Sequence, residues 1–154
     1  MASIYSAIKC PYCGRSAIED FNYTSDEKYI SCIRCGYNYT KILKEGSNDL
    51  NEFEEDSREG HGVFSLMKKD GKREMRLFNH RLSNDALETY KRMFLGNSVD
   101  QEKSYLIMYE DEIFSIVLGS PSENFYLSFE EYKEKMFKKY GNNNDFEFIV
   151  PIEE

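Results

Sequence analysis

The chain lacks tryptophan altogether and carries only two histidines, His61 and His80. It also lacks the short signatures of common catalytic sites. No G-x-x-x-x-G-K-S/T, G-x-G-x-x-G, H-E-x-x-H or G-x-S-x-G occurs. Neighbouring carboxylates, as at Glu54-Glu55 and Glu130-Glu131, sit on polar segments and by themselves give no acid–base pair. No enzyme is expected. Long apolar runs are missing too: nothing approaches the ~18 residues a membrane helix needs. The opening Met-Ala-Ser-Ile-Tyr-Ser-Ala-Ile-Lys lacks the apolar centre of a signal peptide, so a cytoplasmic protein without membrane contact is expected. Basic excess is absent as well. Against 20 lysines and arginines stand 28 aspartates and glutamates, a formal charge of -8 that repels nucleic-acid phosphate at long range.

What the chain does have is four cysteines in two C-x-x-C pairs, Cys10/Cys13 and Cys32/Cys35. They read C-P-Y-C-G and C-I-R-C-G, and their separation falls within the spacing of a four-thiolate zinc site. A tight turn inside each pair points both sulfurs at one metal. Gly14 and Gly36 follow, free to take positive φ and expected to aim their N–H groups at a thiolate. Four thiolates close a tetrahedron and leave no position for water or substrate, so one structural Zn²⁺ is expected. Neither His61 nor His80 is needed as a ligand; each reads as a partly exposed side chain beside a turn.

These knuckles make residues 1–45 resemble a zinc ribbon, the group of small β-hairpin domains built on paired C-P-x-C-G and C-x-x-C-G motifs. The resemblance implies a metal-held hairpin fold and covers under a third of the chain. It implies no single function, since such domains serve in transcription, in nucleic-acid enzymes and as interaction modules. C-P-Y-C is also the glutaredoxin tetrapeptide, but that chemistry needs a low-pKa thiolate at a helix N-terminus. Here Gly14 follows at once and residues 18–24 read as a strand. The second matched pair also favours metal over redox chemistry.

Residues 46–60 hold one basic and six acidic side chains between Gly46 and Gly60, and read as a solvated linker. The remainder, 61–154, reads as an α+β domain with a mostly antiparallel sheet in the order β-β-α-β-β-α-β. Asp70-Gly71 predicts a two-residue hairpin with Leu66 facing Met75 and Phe64 facing Leu77. Ser83 or Asn84 caps a helix whose buried face is Ala86, Leu87, Tyr90, Met93 and Phe94, stopping at Gly96. Two apolar strands, 105–109 and 113–118, turn at Glu110-Asp111 and are expected centrally in the sheet. Ser128 with Glu131 forms a capping box for a second helix burying Phe129, Tyr132, Met136, Phe137 and Tyr140. A last strand spans 146–152, with Pro151 at an edge.

The expected partner is another protein, bound by a rigid, metal-held regulatory or interaction module. The alternative is a nucleic acid. It would use Lys68, Lys69, Lys72, Arg73 and Arg76 of the basic hairpin, joined from the ribbon by Lys9, Arg15, Lys28, Arg34 and Lys41 with Tyr12, Tyr37 and Tyr39 as stacking platforms. That reading requires these cations on one exposed face.

Overall fold

The computed structural model describes residues 2–45, 52–78, 82–95 and 99–140. It is a mixed fold of two antiparallel sheets and two helices. The first sheet is a meander of β1 (Ser3–Lys9), β2 (Ser16–Asn22), β3 (Glu27–Ser31), β4 (Asn38–Leu43) and β5 (Phe53–Arg58), paired in that order. The second contains β6 (Gly62–Met67), β7 (Arg73–Leu77), β8 (Tyr105–Glu110) and β9 (Ile113–Gly119), arranged β7-β6-β8-β9. Helix α1 (Asn84–Leu95) lies in the chain between the two hairpins, and α2 (Phe129–Tyr140) follows a short 3-10 turn at Glu123–Tyr126. The strand expected over 146–152 and the helix stop at Gly96 lie outside the described residues.

The acidic stretch corrects the linker reading. Residues Phe53–Arg58 pair with β4 as its outer strand, from Leu43↔Phe53 to Asn38↔Arg58. Ladder hydrogen bonds need no apolar side chain, so a sequence such as F-E-E-D-S-R can be solvated and still be a strand. Cross-strand partners suit the charge. Lys41 stands opposite Glu55 with its ammonium 4.3 Å from the Phe53 ring centre, and the Tyr39 hydroxyl donates to Glu55 at 2.8 Å.

The β6–β7 hairpin is shifted by one residue from the expected register. Val63 pairs with Leu77 and Ser65 with Met75, which puts Phe64 opposite Arg76 and Leu66 opposite Glu74. The loop is longer than the Asp70-Gly71 pair suggests. Lys68 and Lys72 close it through Lys68 N–H to Lys72 C=O, while Gly71 N–H returns to Lys68 C=O, leaving three residues in the loop with Gly71 at φ 78°. A one-residue slip exchanges the faces of a strand. β6 itself is covered on both sides, with Val63, Phe64 and Ser65 fully buried.

These two faces organise the molecule. On one, Phe64 and Leu66 join the four cysteines, Ala17 and Ile30 of the first sheet, and Phe78, Leu106 and Phe125. On the other, Val63 joins Ile107, Phe114, Tyr105 and the α1 residues Tyr90 and Phe94. Ser83 caps α1 by accepting from Ala86 N–H at 3.2 Å. Ser128 and Glu131 form a reciprocal capping box on α2 at 3.0 and 3.2 Å.

Of the two apolar strands expected at the centre of the sheet, β8 is central, but β9 is an edge among the described residues. Their turn falls at Asp111-Glu112, both at positive φ, one residue beyond the expected position.

Candidate metal centre

Each cysteine pair closes a tight turn that ends a strand and turns the chain back. In the first, Gly14 N–H donates to Cys10 C=O and Cys10 N–H to Arg15 C=O; in the second, Gly36 N–H donates to Cys32 C=O and Cys32 N–H to Tyr37 C=O. Gly14 and Gly36 take φ of 74° and 82°, as expected for these positions. Their N–H groups, however, bind carbonyls. The N–H groups directed at sulfur belong to Cys13 on Cys10 Sγ (3.5 Å), Arg15 on Cys13 Sγ (3.4 Å) and Tyr37 on Cys35 Sγ (3.4 Å). The glycine turns the chain so that the following residue serves the thiolate.

The two turns face one another. Cys10 Sγ lies 3.7 Å from Cys35 Sγ, Cys13 Sγ lies 3.7 Å from Cys32 Sγ, and all four sulfurs fall within 4.8 Å of each other, buried. A tetrahedral ion with metal–sulfur bonds of ~2.3 Å has sulfur–sulfur edges of roughly 3.8 Å. The four sulfurs therefore fit the corners of a metal tetrahedron, and the cluster is a site able to hold one metal ion.

Without a cation the four thiols divide their protons unequally. Hydrogen bonds from Cys13, Cys32 and Cys35 hold the Cys10 thiol below its ordinary range. Cys13 is also lowered: Cys10 acts against its ionisation, but hydrogen bonds from Cys32 and Cys35 outweigh this. The neighbouring Cys10 and Cys13, with burial, push Cys32 and Cys35 up. A metal that takes all four sulfurs displaces the thiol protons still held, so binding weakens as pH falls, by about tenfold or more from pH 7 to pH 6 in competition against a chromophoric chelator.

Two arginines, one from each turn, extend the centre into the C-terminal part of the chain. Arg34, only 1% exposed, donates from Nε to Phe125 C=O at 3.0 Å and from Nη1 to Ser16 C=O at 2.9 Å. Its guanidinium lies over the Phe125 and Tyr132 rings at 4.8 and 5.4 Å. Arg15 donates to Cys13 C=O at 2.8 Å, Phe78 C=O at 3.0 Å and Tyr126 C=O at 3.4 Å, and lies 4.9 Å from the Tyr126 ring centre. Phe129 N–H donates to Gly14 C=O, and Lys9 pairs with Glu130 at 2.9 Å. The cysteine turns thus grip the segment 125–130 that leads into α2.

Charge explains why an arginine is buried here. Arg34 meets no carboxylate among the described residues. Burial alone lowers it, and Cys32, Tyr132, Cys13 and Cys35, where ionised, act in the opposite sense. A divalent metal with four thiolates keeps a net charge of about -2, and Arg15 and Arg34 supply the opposite sign beside it.

The second turn also receives the chain from β5. Gly60 and Gly62 press on its backbone: a methyl group at Gly60 would overlap the Cys35 carbonyl oxygen, and one at Gly62 the Arg34 carbonyl oxygen. Gly62→Ala is therefore expected to destabilise the protein by about 3 kcal/mol, read as a shift in the chemical denaturation midpoint at unchanged slope. In the sequence Gly60 was visible only as the end of a polar stretch, and Gly62 carried no signal.

The other expected contacts scatter. Arg34 is corrected from a surface contact to a buried one. Arg73 donates to Ser65 Oγ and Asp100 C=O and lies over Phe94 and Tyr105. Lys68 and Arg76 both pair with Glu74, and Arg76 also lies over Tyr126. Lys69 and Lys72 are exposed near the hairpin tip. Tyr12 and Tyr37, half-buried, stack on each other at 6.1 Å beside the cysteines. Exposed His61 is not among the clustered ligands, and His80 lies outside the described residues.

No protein-family model, curated protein or solved structure matches the chain.

Proposed function

We propose that the chain is a non-enzymatic interaction module, held in shape by one structural Zn²⁺ in a ribbon-like N-terminal unit, and that its partner is another protein. The observation that carries this reading is the commitment of the arginines. Arg15, Arg34, Arg73 and Arg76, which a phosphate backbone would need, are spent on internal carbonyls, aromatic faces and Glu74. The large exposed apolar side chains are instead Ile4, Tyr5, Tyr29 and Leu43 on the first sheet, Tyr23 in its β2–β3 turn, and Ile113, Ile116 and Val117 on β9. Such surface favours protein over phosphate. The closed thiolate set, with no open coordination position, supports a structural metal.

No helix among the described residues is long and apolar enough to cross a membrane, and a cytoplasmic setting suits reduced thiolates.

The test is an anisotropy titration of labelled single-stranded and duplex DNA with the zinc-loaded protein at about 50 and 200 mM salt. No saturable binding at the lower salt is expected. Saturable binding with a steep salt slope would replace the protein partner with nucleic acid.

A further inference from the structure

On the reading above that the partner is a protein, we propose that the outer face of the first sheet receives a basic segment of it. A lysine or arginine of that segment sits between Tyr5 and Tyr29, on the carboxylate of Asp20.

Alternation along each strand and the register between strands sort this sheet into two faces. The inner one, with Ile8, Ala17, Ile30 and Tyr39, packs into the buried cluster around the cysteines. Across the outer one a single row runs Tyr5↔Asp20, Asp20↔Tyr29, Tyr29↔Thr40 and Thr40↔Asp56. Glu27 and Glu54 stand two residues along from Tyr29 and Asp56, on the same face.

The two faces differ in charge. On the inner one Lys28 pairs with Glu19 and Lys41 stands opposite Glu55, so acid and base cancel. On the outer one Asp20, Glu27, Glu54 and Asp56 meet no cation among the described residues. The basic residues of that face are placed elsewhere. Lys9 pairs with Glu130, Arg58 pairs with Glu110, and Lys44 stands at the hairpin tip across from Glu52. Stretches 46–51, 96–98 and 141–154 contain no lysine or arginine. Arg81, between β7 and α1 in the chain, is the only one outside the described residues. The missing positive charge is therefore sought from a partner.

Asp20 focuses this surface. It is half-buried, with Oδ1 shut off from solvent, and it accepts no hydrogen bond from a described residue. A carboxylate so placed gains from a cation. Tyr5 and Tyr29 flank it, 48% and 42% exposed. Their strands lie about 10 Å apart, with β2 between them. A cation on Asp20 is then about 5 Å from either tyrosine, within the ~6 Å over which an aromatic ring attracts an ammonium or guanidinium.

Fluorescence anisotropy of the zinc-loaded full chain with a labelled arginine–glycine peptide tests the proposal, beside a glutamate–glycine peptide and an oligothymidine. Saturable binding of the basic peptide alone is expected, weakening as salt rises from about 50 to 200 mM. Asp20→Asn and Tyr29→Ala should each weaken it about fivefold or more, with circular dichroism and metal content unchanged. Tyr29→Phe, which keeps the ring, should retain it. Glu102→Gln removes the same charge from the segment before β8 and should leave binding as it was. Equal losses in Asp20→Asn and Glu102→Gln would mean that net charge alone holds the peptide, and would overturn the proposal. Binding of the oligothymidine would overturn the protein partner itself. Failure of both the basic peptide and the oligothymidine to bind overturns this surface and leaves that reading standing.

Discussion

Removing the metal with a strong chelator is expected to unfold far more than the first 45 residues. An isolated metal-held hairpin would lose only its own structure. Here the cysteines belong to the same buried cluster as Phe64, Leu66, Leu106, Phe78 and Phe125. Arg34 and Arg15 further tie the cysteine turns to Phe125, Tyr126 and the start of α2. Zinc held by four thiolates contributes about 10–16 kcal/mol, an amount larger than the whole stability of most domains of this size. With the metal gone, the two cysteine turns lose the ion that joins them, and the Arg15 and Arg34 contacts built on those turns loosen with them. Hydrogen exchange should therefore show loss of protection in β6, β8 and α2 together with β1–β4. Loss confined to residues 2–45 would mean that the two sheets are independent units in contact.

Replacing Arg34 with alanine is expected to cost about 3–5 kcal/mol, the range for breaking a buried charge pair. The change leaves Ser16 C=O and Phe125 C=O without their donor and opens a space against the Phe125 and Tyr132 rings. It also removes a positive charge beside the thiolates, so metal affinity should fall along with stability. Arg34→Lys should recover little, because one ammonium cannot reach both carbonyls in the planar geometry of the guanidinium. Denaturant unfolding of the zinc-loaded variants gives the first quantity and chelator competition the second. A variant with wild-type stability and metal affinity would remove Arg34 from the account.

The cysteine pairs, both helix caps and the apolar faces of α1 and α2 were legible in the sequence because each rests on local rules of spacing. Cysteines three residues apart, a Ser-x-x-Glu box and a 3.6-residue period all act within one or two turns of chain. The misreadings share a different cause. β5 is stabilised by hydrogen bonds to β4, which leave no mark in the composition of F-E-E-D-S-R. In the β6–β7 loop, one added residue exchanged the faces of a strand that is apolar on both, so the pattern could not choose between the registers. The role of Arg34 was hidden because a cation between two cysteines looks like surface charge until its acceptors, 18 and 91 residues away, are in place. Long-range pairing of that kind is carried by the fold alone.

Native mass spectrometry of the protein purified without added metal reads the metal stoichiometry on which the fold depends. One zinc per folded chain is expected, lost together with the compact charge-state distribution when any of Cys10, Cys13, Cys32 or Cys35 is replaced by serine. A compact chain carrying no metal, with all four thiols open to alkylation, would contradict it.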